Sequence, residues 1–320
     1  MNRWILVVCL GLTVFAIVHW RKTGSKTAGT TRADEARKVL LIVGFNSDNI
    51  VSYDLDTNVT REVIRFDEFT KPRGIGQTSN GDLYVATRQG KKNVIRIGLT
   101  GEGVEFTDFT DPIGRYGPAQ VHVDVEDRVY VAGDTTHAVS RYLPDGTLDQ
   151  LFQGKSIGGN VCGFAVGDDA VFTAHLFRGA IGRHGHDEEG PPARFQMDPE
   201  VMKNTYSALV APNGNLLVGG GRGCAKVLEL NPETGEVLGV FADLAEQGLG
   251  GVSAMVHVAG LQAYFFAAPG GLLEYTSEGV FVGRHEIGFI DRVAAIGLAR
   301  NSQALDRMAA IVSAKGTVGG

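Results

Sequence analysis

A short strand phrase recurs roughly every 44 residues along this chain. It reads Val39-Leu40-Leu41-Ile42-Val43, Asp82-Leu83-Tyr84-Val85-Ala86, Arg128-Val129-Tyr130-Val131-Ala132 and Ala170-Val171-Phe172-Thr173-Ala174. Asn215-Leu216-Leu217-Val218-Gly219 and Gln262-Ala263-Tyr264-Phe265-Phe266-Ala267 continue it, and a weaker copy, Met308-Ala309-Ala310-Ile311-Val312, lies near the end. Most copies are apolar at nearly every position, as expected of a strand buried on both faces. A fixed period of this length, holding several short strands, specifies sheets packed around an axis. The predicted fold class is all-β, a β-propeller of four-stranded blades over residues 39–320.

The unit beginning near Pro72 shows the pattern in full. Strands are predicted over Arg73–Thr78, Leu83–Thr87, Val94–Leu99 and Val104–Phe109, divided by turns such as Ser79-Asn80-Gly81-Asp82 and Thr100-Gly101-Glu102-Gly103. Turns of this kind set hairpins, because Gly, Asn and Asp tolerate the backbone angles required. The count of 44 Gly against 10 Pro fits a chain of many tight turns. These phrases resemble the NHL-repeat type of propeller and, more loosely, the six-bladed group related to senescence-marker and gluconolactonase proteins. The resemblance covers about residues 38–299, is to the blade pattern alone, and implies fold rather than activity.

Residues 39–299 hold about six periods, and the first blade lacks its own inner strand. Val293-Ala294-Ala295-Ile296-Gly297-Leu298 is expected to supply it, joining the two ends of the chain and removing an exposed sheet edge. The phrase Met308–Val312 would then compete for a filled slot or begin a seventh blade; six blades are expected, with seven the alternative.

The first residues differ in kind. Trp4 to Trp20 is uncharged, broken only by Thr13 and His19, with Arg3 before it and Arg21-Lys22 after it. Seventeen helical residues span about 25 Å against a hydrocarbon core of ~30 Å, with a tryptophan at each end. A cleaved signal peptide needs small residues beyond the apolar run, where His19-Trp20-Arg21-Lys22 stands, so residues 1–22 are read as a transmembrane signal-anchor. Arg21, Lys22 and Lys26 outweigh Arg3, and a strict charge count would keep the remainder in the cytosol. Analogy with anchored propellers nevertheless favours a periplasmic or extracellular domain. Residues 23–38, polar and without apolar periodicity, read as a tether.

The net charge of -6 argues against nucleic acid as a partner, and 43% hydrophobic content argues against extensive disorder. Strand order sorts the charges further. Loops entering each inner strand and those joining second to third strands share one face, here the upper. Lower turns carry Asp54, Asp82, Asp127, Asp145, Asp169, Glu233 and Glu278 among other acids, whereas upper loops carry Arg88, Lys91, Lys92, Arg178 and Arg222 against Asp48 and Asp134. A basic mouth would attract an anionic ligand or an acidic partner surface. Solvated bases above and good turn formers below account for the same pattern.

Candidate binding residues are those near the upper ends of the inner strands: Arg73, Gln120, His122, Asn160, Asn204 with Tyr206, Ser253 and Arg292, with Arg115 and Arg222 beside the mouth. The expected partner is another protein, a membrane complex or a small anion, and no cofactor is predicted. Lactonase-like relatives imply calcium held by a Glu, Asn and Asp set in the channel. Here Asn160 and Asn204 are suitably placed, with Asp291 the one acid available. Arg183-His184-Gly185-His186-Asp187-Glu188-Glu189 has metal-binding chemistry without a zinc spacing and is read as an exposed turn. No nucleophile elbow, haem-attachment motif or Walker loop is present, and no helix is expected after Gly219–Gly223 to bind phosphate. Cys162 and Cys224 fall on the upper side of adjacent blades, where a disulfide is conceivable alongside two free thiols.

Overall fold

The computed structural model of the protein describes residues 38–66, 71–88, 94–107, 117–134, 136–186, 190–268, 271–290 and 292–316. The strands form six four-stranded antiparallel sheets. Blade I consists of β1 (Val39–Gly44), β2 (Asn49–Asp54) and β3 (Val59–Arg65), with β24 (Val293–Leu298) as its inner strand. Blade II runs β4 (Pro72–Gln77), β5 (Leu83–Thr87), β6 (Val94–Ile97) and β7 (Gly103–Thr107); blade III runs β8 (Pro118–Val123), β9 (Val129–Gly133), β10 (Ala138–Tyr142) and β11 (Leu148–Gln153). Blade IV is β12 (Asn160–Val166), β13 (Ala170–Leu176), β14 (Ala180–Gly185) and β15 (Ala193–Gln196). Blade V is β16 (Thr205–Val210), β17 (Leu216–Gly220), β18 (Lys226–Leu230) and β19 (Val237–Asp243), and blade VI is β20 (Ala254–Val258), β21 (Ala263–Ala268), β22 (Gly271–Thr276) and β23 (Phe281–His285).

Closure is as expected from the sequence. β24 pairs antiparallel with β1, Leu40 opposite Leu298 and Ile42 opposite Ile296. The chain's last strand thus completes its first blade, and each inner strand contacts the inner strand of the next blade around the ring. The second strands, β1, β5, β9, β13, β17 and β21, are the recurring phrases, and they are buried along nearly their whole length. Their Val, Leu, Tyr and Phe side chains fill the space between neighbouring sheets, which is where the hydrophobic driving force of the fold resides. Small residues let the inner strands crowd the axis. A Cβ on Gly74 would stand 2.6 Å from the Val121 nitrogen, and one on Gly163 would stand 2.3 Å from the Tyr206 carbonyl oxygen.

Two sequence expectations are corrected. Met308–Val312 begins no seventh blade but lies in a helix, α1 (Ser302–Gly316). Asn301 caps it, its side-chain oxygen accepting from the Ala304 amide at 3.0 Å. Ala304, Leu305, Met308 and Ala309 recur at helical spacing and are buried, while Arg61 on β3 reaches Asp306 at 3.5 Å. The helix therefore packs against the outer strand of blade I. Second, Arg183, His184 and Gly185 belong to β14 rather than to an exposed turn, and His184 is buried. The expected membrane span over residues 1–22 and the tether over 23–38, apart from its last residue Lys38, lie outside the described residues. No helix among the described residues is long and apolar enough to cross a membrane.

Candidate functional site

The inner strands converge on a central channel whose upper end is crossed by one side chain. Arg73, on β4 of blade II, donates to the Asp134 carboxylate of blade III at 2.9 Å. It also donates to the Tyr206 hydroxyl of blade V at 2.7 Å. The Cys162 thiol of blade IV donates to the other Asp134 oxygen at 3.2 Å, and the Gln120 side chain accepts from the Phe164 amide at 2.9 Å. Blades II, III and V are thus tied through one guanidinium, and blade IV joins them through Asp134 and Gln120. The side chains of Arg73 and Asp134 are only 10% and 6% exposed, so the charge pair is a buried one. Burial alone would lower the arginine pKa. The Tyr206 hydroxyl, the Asp134 carboxylate and the Cys162 thiol outweigh it and raise it above the ordinary value. Burial and the neighbouring Asp134 together push the Cys162 thiol far above the usual range, which makes it a poor nucleophile.

The cavity remaining under this clamp has a volume of about 20 Å³. It is lined by Arg73, Gln120, Cys162, Tyr206 and Ser253 together with apolar positions of β4, β8, β20 and β24. That is room for about one water, where a small-molecule site needs several hundred Å³. Lower on β8, the ring of His122 is solvent-accessible although protein surrounds it, the condition of a group facing the bore. Burial pushes its pKa down to about 4 against the opposing pull of Asp124.

Of the candidate residues, Arg73, Gln120, Tyr206 and Ser253 meet around the channel. Asn160, Asn204, Arg222 and Arg292 do not line this cavity. Asn204 donates to the Arg222 carbonyl oxygen at 3.4 Å, and Arg292 packs over the Phe45 ring at 5.2 Å. Arg115 and Asp291 lie outside the described residues. The disulfide is corrected: Cys162 and Cys224 are both free thiols, Cys162 engaged with Asp134 and Cys224 directed at the Val201 carbonyl oxygen at 3.7 Å.

Calcium does not fit the channel as built. It needs several oxygen donors, carboxylates among them. The described residues lining the cavity include no carboxylate, and the one beside it, Asp134, is already paired with a guanidinium that brings positive charge into the same space. No set of three His, Cys, Asp or Glu side chains converges elsewhere among the described residues.

A larger recess of about 840 Å³ lies between blades III and IV, lined by Arg141, Phe152, Arg183, His184, Pro191 and Pro192. Its charges are met internally, Arg141 by Asp149 and Arg183 by Asp169 and Glu233. Behind it runs a buried polar chain. The His175 ring contacts the Gly158 carbonyl oxygen at 2.9 Å through Nδ1 and the Thr173 hydroxyl at 2.9 Å through Nε2, and that hydroxyl meets His184 Nε2 at 3.2 Å. Burial pushes both imidazoles down to about 4, so they are neutral at pH 7.

No protein-family profile matches the chain, and no curated protein does. Solved structures do match. A protein of unknown function from Bacteroides caccae superposes with a TM-score of 0.64 at 13% identity, covering 83% of this chain and 100% of that one. A nidogen/laminin complex contains a chain with a TM-score of 0.64 at 13% identity, 82% and 98% covered. The fold is the six-bladed β-propeller. A streptogramin B lyase shares it at a TM-score of 0.59 and 13% identity, with 80% and 85% covered. A putative gluconolactonase does so at 0.55 and 16%, with 73% and 82% covered. These proteins range from a binding partner in a complex to enzymes, so the likeness carries architecture and no activity.

The upper loops contain residues that the sequence pattern did not bring forward. Phe177, in the loop between β13 and β14, is 70% exposed at φ 64°, and Phe289, ahead of β24, is 61% exposed at φ 67°. A bulky residue in the left-handed region is strained, and an aromatic ring so exposed lacks packing to compensate. The available signal was an aromatic residue inside a short loop, Phe177-Arg178-Gly179, between two apolar strands.

Proposed function

We propose that this chain is a membrane-tethered binding module, held by its N-terminal apolar segment outside the cytosol, whose rigid upper loops engage a partner protein. The observation that carries the reading is the Arg73 clamp. It leaves about 20 Å³ at the channel's upper end, so recognition falls to the loops around the mouth rather than to a ligand held inside. Loops fixed on a closed ring lose little entropy on binding and display side chains in set positions.

The test is purification of full-length tagged protein from gently solubilised membranes, beside a version lacking residues 1–22, with metal analysis of both. A stoichiometric partner chain, and release of the truncated version from the membrane, is the expected result. A solitary protein carrying bound calcium and a chelation-sensitive esterase activity would overturn the reading in favour of a hydrolase. If the partner stays bound to loop-substituted variants, the propeller is a structural subunit joined through another surface.

A further inference from the structure

The exposed charges of the upper face are unevenly spent. Lys71 stacks over Phe45 at 5.3 Å, Arg292 covers the same ring, and Arg73 is locked in the channel. Arg178, Lys203 and Arg222 are different: all three are exposed, and their side chains make no ion pair or hydrogen bond among the described residues. They belong to one sector, the top of blades IV and V. The Arg178 side chain lies along the Gly158-Gly159 backbone, Gly179 abuts the Lys203 carbonyl oxygen, and Asn204 joins this loop to Arg222. Phe177 rises beside Arg178. Two acids share the loop before β16: Asp198 is engaged with the Glu200 amide at 2.9 Å, and Glu200 is exposed.

Holding three cations at neighbouring positions without partners is repulsive, and a strained, exposed phenylalanine adds to that cost. A complementary surface relieves both. Aromatic and arginine side chains grouped in this way are the residue types that dominate protein interfaces.

Resting on the binding-module reading, we propose that Phe177 with Arg178, Lys203 and Arg222 forms the docking surface for an acidic segment of a partner protein, the ring supplying the apolar anchor and the cations the orientation. Charge complementarity selects an acidic occupant, and Phe177 selects one with an apolar side chain between its carboxylates. The adjacent channel contributes no binding space, so contact stays on the rim.

The probe is a fluorescein-labelled peptide of repeating Asp-Leu-Glu-Gly units, with its Lys-Leu-Lys-Gly counterpart as control, titrated by anisotropy against the full chain in detergent. Binding of the acidic peptide alone, weakened by salt and reduced about tenfold or more both by R178E/R222E and by F177G, is expected. Equal binding of both peptides, or an acidic peptide indifferent to the substitutions, would overturn the proposal. So would retention on phosphatidylserine vesicles without peptide binding, which would assign the cations to a lipid surface. The reading beneath it is judged separately. A partner chain that co-purifies equally with wild type and R178E/R222E overturns this docking surface while leaving the binding module standing. Failure of wild type to retain any chain removes the module, whatever the peptide does.

Discussion

The two faces of the propeller use charge in opposite ways. On the lower face several acids of the turns are tied into the fold. Asp82 meets Arg96 at 2.6 Å, Asp124 meets Arg128 at 2.6 Å, and Asp127 accepts from Ser79 and from Arg300 at 2.8 Å. On the upper face, the Arg73–Asp134 pair is sealed at the centre, Lys71 and Arg292 lie over the Phe45 ring, and Arg178, Lys203 and Arg222 stand without an ion pair at the rim of blades IV and V. A sequence-level sorting into acidic below and basic above misses this division. The upper loops also carry Glu246 and Glu286, and Asp198 with Glu200 beside Lys203; among the described residues, Arg178, Lys203 and Arg222 are grouped as exposed cations without an ion pair at the top of blades IV and V. Composition tells which charges exist; only the pairing tells which remain for a partner.

The sharpest way to break the comparison is at its centre. Arg73→Met removes the cation and leaves the Asp134 carboxylate buried without a counter-charge, which should cost about 3–5 kcal/mol in urea unfolding. Adding Asp134→Leu should recover much of that loss, because neither desolvated charge then remains. A loss under about 1 kcal/mol for Arg73→Met would mean that water reaches the pair and that the channel is open.

Next in size is an acid response. His175 and His184 have folded pKa values of about 4, below the value near 6.5 expected of an unfolded chain. The unfolded state therefore binds more protons between these values. Stability is complete above about pH 6.5 and falls as pH drops toward 4, by roughly 3 kcal/mol for each imidazole that must be charged while buried. The urea midpoint should be level from pH 7 to 8 and decline through pH 6 and 5, and His175→Gln with His184→Gln should lessen that decline, leaving the part that His122, also held at about 4, contributes. A midpoint unchanged from pH 7 to 5 would contradict the buried neutral pair.

Much of the architecture was legible in the sequence because it rests on local, repeated constraints. The apolar phrases mark the second strand of every blade, and Val293–Leu298 marks the closing strand since blade I had no other source for it. Met308–Val312 was misread because a short apolar run does not by itself distinguish strand from helix; the deciding signal was the Asn301-Ser302 start and the helical spacing around it. The candidate site was half legible. Arg73, Gln120 and Tyr206 were identified by position near the axis, but the role of Arg73 depends on Asp134 and Tyr206, which lie 61 and 133 residues away. No local pattern records such pairings. Phe177 was missed because hydrophobic periodicity carries no information about a strained loop residue.

On the lower face the effect should be smaller. Asp127→Asn keeps the side chain's shape while weakening its links to the Ser79 hydroxyl and the Arg300 guanidinium, both partly solvated. About 1 kcal/mol in urea unfolding is expected, a surface-network value rather than a buried-pair one. A loss as large as that of Arg73→Met would place the lower network among the principal supports of the ring and remove the contrast between the faces.

The smallest expected change bears most directly on the rim. Phe177 holds φ 64° with its ring mostly in solvent, so its side chain contributes little packing while its backbone is strained. Glycine adopts that conformation without a Cβ clash but loses more entropy on folding, and the two effects are of similar size. Phe177→Gly should therefore leave stability unchanged or raise it by up to about 1 kcal/mol. Phe289→Gly, at φ 67°, provides a matched control on the loop ahead of β24. If either substitution lowers the urea midpoint substantially, the ring is packing against the loop and its exposure is not free surface. If stability holds while acidic-peptide binding falls for Phe177→Gly alone, the fold accommodates strain at that position in exchange for an anchor aimed outward, as expected of a residue positioned for a partner.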